Sequence, residues 1–139
     1  MDLDEARAKL REASYDDFMR VREELAAALR AQGDKHLAHL IAGTKKPDRA
    51  HWAVARVDAD LRQALELARG AAKAAQAHES GDALREALAE YRRAVNAVAD
   101  AAKKIMTDAG MSVTRANERA MHALLEGQAE DPLDVLRAR

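Results

Sequence analysis

The chain has 139 residues, with 23 Lys and Arg against 24 Asp and Glu, a formal net charge of −1, and no cysteine. That balance offers no global field to draw in nucleic acid or an anionic membrane, and without thiols there is neither a disulfide framework nor a thiolate metal site. Charged residues at 34%, aromatics at 3%, and only 6 Gly and 2 Pro point to long amphipathic helices, so the expected fold is all-α, in a single helical domain over 1–139.

The opening stretch "MDLDEARAKLREAS" is acidic and lacks the apolar core of a signal peptide. No apolar run approaches the ~20 residues that span a bilayer. The expectation is a soluble, cytoplasmic protein with no membrane partner. The first helix is read from roughly Asp4 to Glu12. Ser14 then caps a second, with Asp17 favouring its exposed amides and Gly33 closing it. Asp34 restarts the chain for a short helix that ends about Ala42, before Gly43. Pro47 suits the first turn of the next helix, which runs to about His78 with Gly70 as its one soft spot. After "ESGD", Asp82 caps a helix reaching Ala109. Thr114 caps another up to Gly127, and "EDP", Glu130 to Pro132, begins a last short one.

The two long helices keep a seven-residue apolar repeat. In the first, Ala50, Val57, Ala64 and Ala71 alternate with Val54, Leu61, Ala68 and Ala75. In the second, Leu84, Tyr91, Val98 and Ile105 alternate with Leu88, Val95, Ala102 and Ala109. Joined at Ser80 and Gly81, they are expected to form a long antiparallel hairpin (about Pro47–His78 and Asp82–Ala109). Alanines then face larger residues, and the short helices pack at its base. Trp52 falls near the start of the hairpin. As the only tryptophan it reads as a structural anchor of the core together with Phe18, the other reading being an exposed recognition residue. Val21, Leu25, Leu29, Leu37, Leu40 and Ile41, at three- and four-residue spacing, are its expected neighbours.

The stretch "RAQGDKHLAHLIAGTKKPDRAHWAVAR" resembles one found in uncharacterised helical proteins of actinobacteria, which pair a glycine and an acidic residue with a helix, then Lys-Pro-Ser and a tryptophan. The likeness continues through "SGDALREALAEYRRAVNAVADAA" and "DAGMSVTRANERAMHALLEG", covering Phe18 to about Pro132. It implies a helical fold and attaches no activity; longer members carry a further charged coiled coil. Asp48 stands where those proteins usually have Ser, and Ala55 or Arg56 near a common Asn, so no role of those polar groups carries over.

Catalytic parts are scarce. His36 and His39 stand three residues apart with Asp34 close by, but no further His or Cys follows at ligand spacing, and a helix cap already accounts for Asp34. His51, His78 and His122 read as surface or helix-end groups. Nucleophile elbows, paired Glu-x-x-His motifs, P-loops and dinucleotide fingerprints are absent from the sequence. The expectation is a protein that is not an enzyme and uses no metal or cofactor.

Basic residues cluster once, as Lys45, Lys46, Arg49 and Arg56 around a helix start that also favours anions. This is the best case for nucleic acid. Against it, Asp48 sits in the same turn, the spacing fits no helix-turn-helix, and no aromatics are interleaved. Arg85, Arg92, Arg93, Lys103 and Lys104 are interspersed with acids, as on an exposed helix face. What remains is a helical scaffold or interaction module whose apolar positions outside the seam, Leu65, Leu67, Ala87 and Ala94, bury themselves in a second copy or another protein. The expected partner is thus a homodimer mate or another protein, with nucleic acid at the basic segment as the alternative.

Overall fold

A computed structural model describes residues 1–127. Among these residues there are seven helices and no strand: α1 (Leu3–Glu12), α2 (Phe18–Ala31), α3 (Lys35–Ala42), α4 (Arg49–Ala55), α5 (Ala59–His78), α6 (Gly81–Asp108) and α7 (Arg115–Leu125). The fold is all-α. Backbone proximity divides the described residues into two compact units, Met1–Trp52 and 53–127. The last short helix expected from Glu130 lies outside the described residues.

The first unit is organised by its caps. The Asp2 carboxylate accepts from the Glu5 amide at 2.8 Å to start α1, and Asp34 accepts from the Leu37 amide at 3.0 Å to start α3. Between them, Gly33 takes a left-handed φ of +85°, which an L side chain would resist, and so reverses the chain from α2 into α3. Ser14 does not cap α2 directly. Its hydroxyl accepts from the Asp17 amide at 3.2 Å in a turn, and Asp17 is the residue that precedes the helix. The apolar stripes of α1, α2 and α3 then meet in one core of Ala6, Leu10, Phe18, Leu25, Ala26, Leu29, Leu37, Ala38 and Ile41. Phe18 is buried, 1% exposed. Arg22 of α2 donates to the Thr44 carbonyl at 2.8 Å, which satisfies the chain just after α3 ends.

The second unit departs from expectation at its start. The uninterrupted helix from Pro47 to His78 does not form: α4 stops at Ala55, the Arg56 and Val57 amides bond back three residues, and α5 begins only at Ala59. The cause is local. Asp58 has a non-helical φ/ψ of −47° and 134°, and its carboxylate accepts from the Asp60 amide at 2.7 Å. It is an N-cap placed inside what reads as one heptad run.

That interruption resets the helical phase. The buried residues of α5 are Leu65, Ala68, Ala72 and Ala75, so Ala68 and Ala75 keep their place in the seam while Ala64 and Ala71 are exposed. Leu65, expected at an outer interface, is only 3% exposed and belongs to the seam. On α6, Val95, Val98 and Ala102 are buried together with Ala99 and Met106, Leu84, Leu88, Tyr91 and Ile105 are half-buried, and Ala109 is exposed beyond the helix end.

α5 and α6 pack along each other as a helical hairpin through a two-residue link, Glu79 and Ser80. Gly81 at φ +62° makes the reversal. Ser80 occupies the N-cap position without a side-chain bond, and Asp82, expected as the cap, is the second residue of the helix, in its first turn. With 28 residues against 20, α6 is the longer arm by roughly 12 Å. α7, capped by the Thr114 hydroxyl on the Asn117 amide at 3.1 Å, packs against α6 and buries Met121 and Leu125.

Candidate interaction surfaces

The segment "KKPDRAHWAVAR" is folded around an aromatic residue that lies thirty-seven positions before Trp52, a separation that leaves no local signal in sequence. Trp52 is 7% exposed, and its Nε1 donates to the Ala13 carbonyl at 3.2 Å. Tyr15 meets it edge-on, ring centroids 6.2 Å apart at 82°. Lys46 Nζ lies 3.8 Å from the Tyr15 ring centroid and the Arg49 guanidinium 5.0 Å from it. Two of the four clustered cations therefore rest on one phenol ring. Trp52 is buried, and its contacts with Ala13 and Tyr15 lie in the turn after α1.

The helix start that was to favour anions is also occupied. α4 has only seven residues, and Asp48 Oδ1 accepts from the His51 amide at 2.8 Å and lies 2.7 Å from His51 Nδ1. A carboxylate thus already fills the place of an anion. Lys45 is exposed. Arg56 falls in the second unit, half-buried, where desolvation holds its pKa below the ordinary guanidinium value.

On the hairpin, Arg69 marks one face. Its guanidinium donates to the Leu125 carbonyl at the end of α7 and pairs with Glu66. Burial works against its charge, but a hydrogen bond with Tyr91 and the Glu66 carboxylate outweigh it, and its pKa is raised. A cation at the last carbonyls of α7 complements the helix dipole. Beside it, Leu88, Tyr91, Arg92, Val95 and Asn96 of α6 with His122 and Glu126 of α7 line an open groove of about 530 Å³.

The opposite face is bare. At about 100° per residue, Leu67 lies roughly 160° around α5 from Arg69, and Ala87 and Ala94 lie roughly 140–160° around α6 from Arg92. All three therefore sit away from α7. Leu67 is 75% exposed, the highest value of any large apolar side chain described. Ala64, Ala71 and Ala74 on the same side of α5 are exposed, and Ala87 and Ala94 are half-buried. The uncharged arc of α5 is thus much wider than the strip that α6 covers.

Several α6 charges pair nearby: Arg93 holds Glu86 at 3.0 Å and Glu90 at 2.6 Å, Arg85 pairs with Asp82, and Lys103 lies 3.9 Å from Asp100 and 4.0 Å from Glu118 of α7. Arg7 is a buried charge that α1's pattern does not announce, holding Asp4 at 2.7 Å. His36 and His39 are both exposed, and among the described residues no three His, Asp or Glu side chains gather as a metal site. No helix there is long and apolar enough to cross a membrane.

Compared with protein-family models, curated proteins and solved structures, the chain finds no match. The likeness to the actinobacterial proteins therefore rests on the quoted stretches alone.

Proposed function

We propose that the chain works as a non-enzymatic helical interaction module that associates with a second copy of itself. The observation that carries this reading is the three-quarters exposed Leu67, flanked by exposed Ala64, Ala71 and Ala74 on one side of a well-packed hairpin, since a contiguous apolar surface on a helix is a cost unless something covers it. The seam itself needs no partner: Leu65, Ala68, Ala72 and Ala75 are already buried. Light scattering across a concentration series tests the reading, which expects a mass above that of one chain at the higher concentrations.

Nucleic-acid binding through Lys45, Lys46, Arg49 and Arg56 has less support, because Lys46 and Arg49 are held on Tyr15 and Asp48 shares their turn. A gel shift at two salt concentrations addresses it directly: binding driven by phosphate contacts weakens steeply as salt rises.

A further inference from the structure

The exposed side of α5 has an internal symmetry that the hairpin does not use. Asp60, Ala64, Leu67, Ala71, Ala74 and His78 follow one another at spacings of four, three, four, three and four. The series reads the same in either direction about position 69. At about 100° per residue all six fall within one arc of roughly 80°. All six are exposed. The four central residues are Ala, Leu, Ala and Ala, and polar side chains enter only at the two ends, a carboxylate at Asp60 and an imidazole at His78.

Resting on the self-association reading, we infer that this face is covered by the same face of a second chain, with the two α5 helices antiparallel about a two-fold axis level with residue 69. That register puts Leu67 opposite the partner's Ala71 and Ala64 opposite the partner's Ala74. Each leucine thus meets an alanine, and the axes can approach closely without a void. Asp60 comes opposite the partner's His78, and the two-fold makes that contact twice. Any other antiparallel register that keeps the seven-residue phase slides Asp60 and His78 past each other, and a parallel pairing sets Asp60 against Asp60 and Leu67 against Leu67. The end pair, a carboxylate that accepts and an imidazole that donates, therefore chooses the orientation, and the central four residues supply the apolar contact.

Ala87 and Ala94, on the same side of the hairpin, extend the contact onto α6, so two hairpins together form a four-helix layer. A seam of one 20-residue helix per chain is at the small end of stable interfaces, and a dissociation constant on the order of micromolar is expected.

The test is sedimentation equilibrium on the whole chain from roughly 1 µM to 1 mM, which spans the affinity expected for a contact of this size. The parent is compared with Leu67→Glu, Asp60→Lys, and Asp60→Lys combined with His78→Glu. Leu67 and both end residues are exposed, and circular dichroism confirms that each variant keeps its helices. The expected result is a dimer for the parent and at least about 30-fold weaker association for Leu67→Glu, the loss typical of a central contact residue. Asp60→Lys weakens the dimer as well, and adding His78→Glu recovers it. A parent dimer that Leu67→Glu and Asp60→Lys leave unchanged overturns this face and register while self-association stands. A parent that stays a single chain throughout overturns both.

Discussion

Around Trp52 the residue types associated with recognition are engaged within the molecule: Lys46 and Arg49 lie on Tyr15, Tyr15 meets Trp52 edge-on, and Trp52 donates to the Ala13 carbonyl. On the outer side of α5, residues that suggest nothing but helix, three alanines and a leucine, are left facing solvent. The difference teaches that the potential to bind is set by what is left unpartnered, whatever the residue types. A basic, aromatic stretch can be spent on folding, and an alanine-rich one can be kept for a partner.

The strongest way to break this comparison is at Trp52. Trp52→Ala removes the largest side chain of its region and its hydrogen bond to the Ala13 carbonyl, so the expected loss is about 3–5 kcal/mol in a denaturant melt. The parent's tryptophan emission should be blue-shifted and shielded from quenchers. A stable Trp52→Ala protein with no loss would return the segment to the class of exposed recognition sites.

A sharper comparison sets the two sides of α5 against each other with one substitution. Ala68→Leu or Ala75→Leu forces extra volume into the buried seam and should cost about 1–3 kcal/mol. Ala71→Leu, on the exposed side, should change the stability of the single chain by no more than about 0.5 kcal/mol. Thermal melting at low concentration reads both. Equal losses at all three positions would mean that the boundary between the buried and open sides is drawn in the wrong place.

Asp58→Ala tests why the boundary falls there. Losing the cap on the Asp60 amide should cost about 1 kcal/mol. The smallest effect belongs to the cations: Lys46→Gln removes one charge from the Tyr15 ring and should cost about 0.5–1 kcal/mol, whereas Lys45→Gln, exposed and outside that stack, should cost less. Identical behaviour of the two lysines would remove the distinction drawn between them.

Much of the fold is legible in the sequence because helix ends are local. Asp34, Gly33, Gly43 and Thr114 sit where the expected boundaries fall, and the hairpin follows from two apolar repeats flanking a short turn. The break at Asp58 is the instructive miss. "VDADL" holds a capping signal, but the heptad count passes smoothly across it, and a periodic pattern outvotes a single cap. The structure restores the cap's weight and moves the seam from Ala64 and Ala71 to Leu65 and Ala72.

The candidate surfaces were legible in part. Leu67 is three-quarters exposed, Ala87 and Ala94 are half-buried, and Leu65 is buried in the seam. The Tyr15 stack was hidden because Lys46, Arg49 and Trp52 all stand far along the chain from Tyr15 and only tertiary folding joins them. The symmetry of Asp60 to His78 is present in the sequence, yet it acquires meaning only once those residues are known to share an exposed side.

The absence of cysteine makes the decisive measurement direct. Chains carrying Leu67→Cys and chains carrying Ala71→Cys are mixed under mild oxidation, with Glu66→Cys, on the charged side of α5, as control. The antiparallel register predicts that covalent dimers joining position 67 to position 71 dominate the mixture and that Glu66→Cys chains stay uncrosslinked. Random pairing among all three, at concentrations where the parent is a dimer, would contradict the proposal that the open side of α5 is covered by itself.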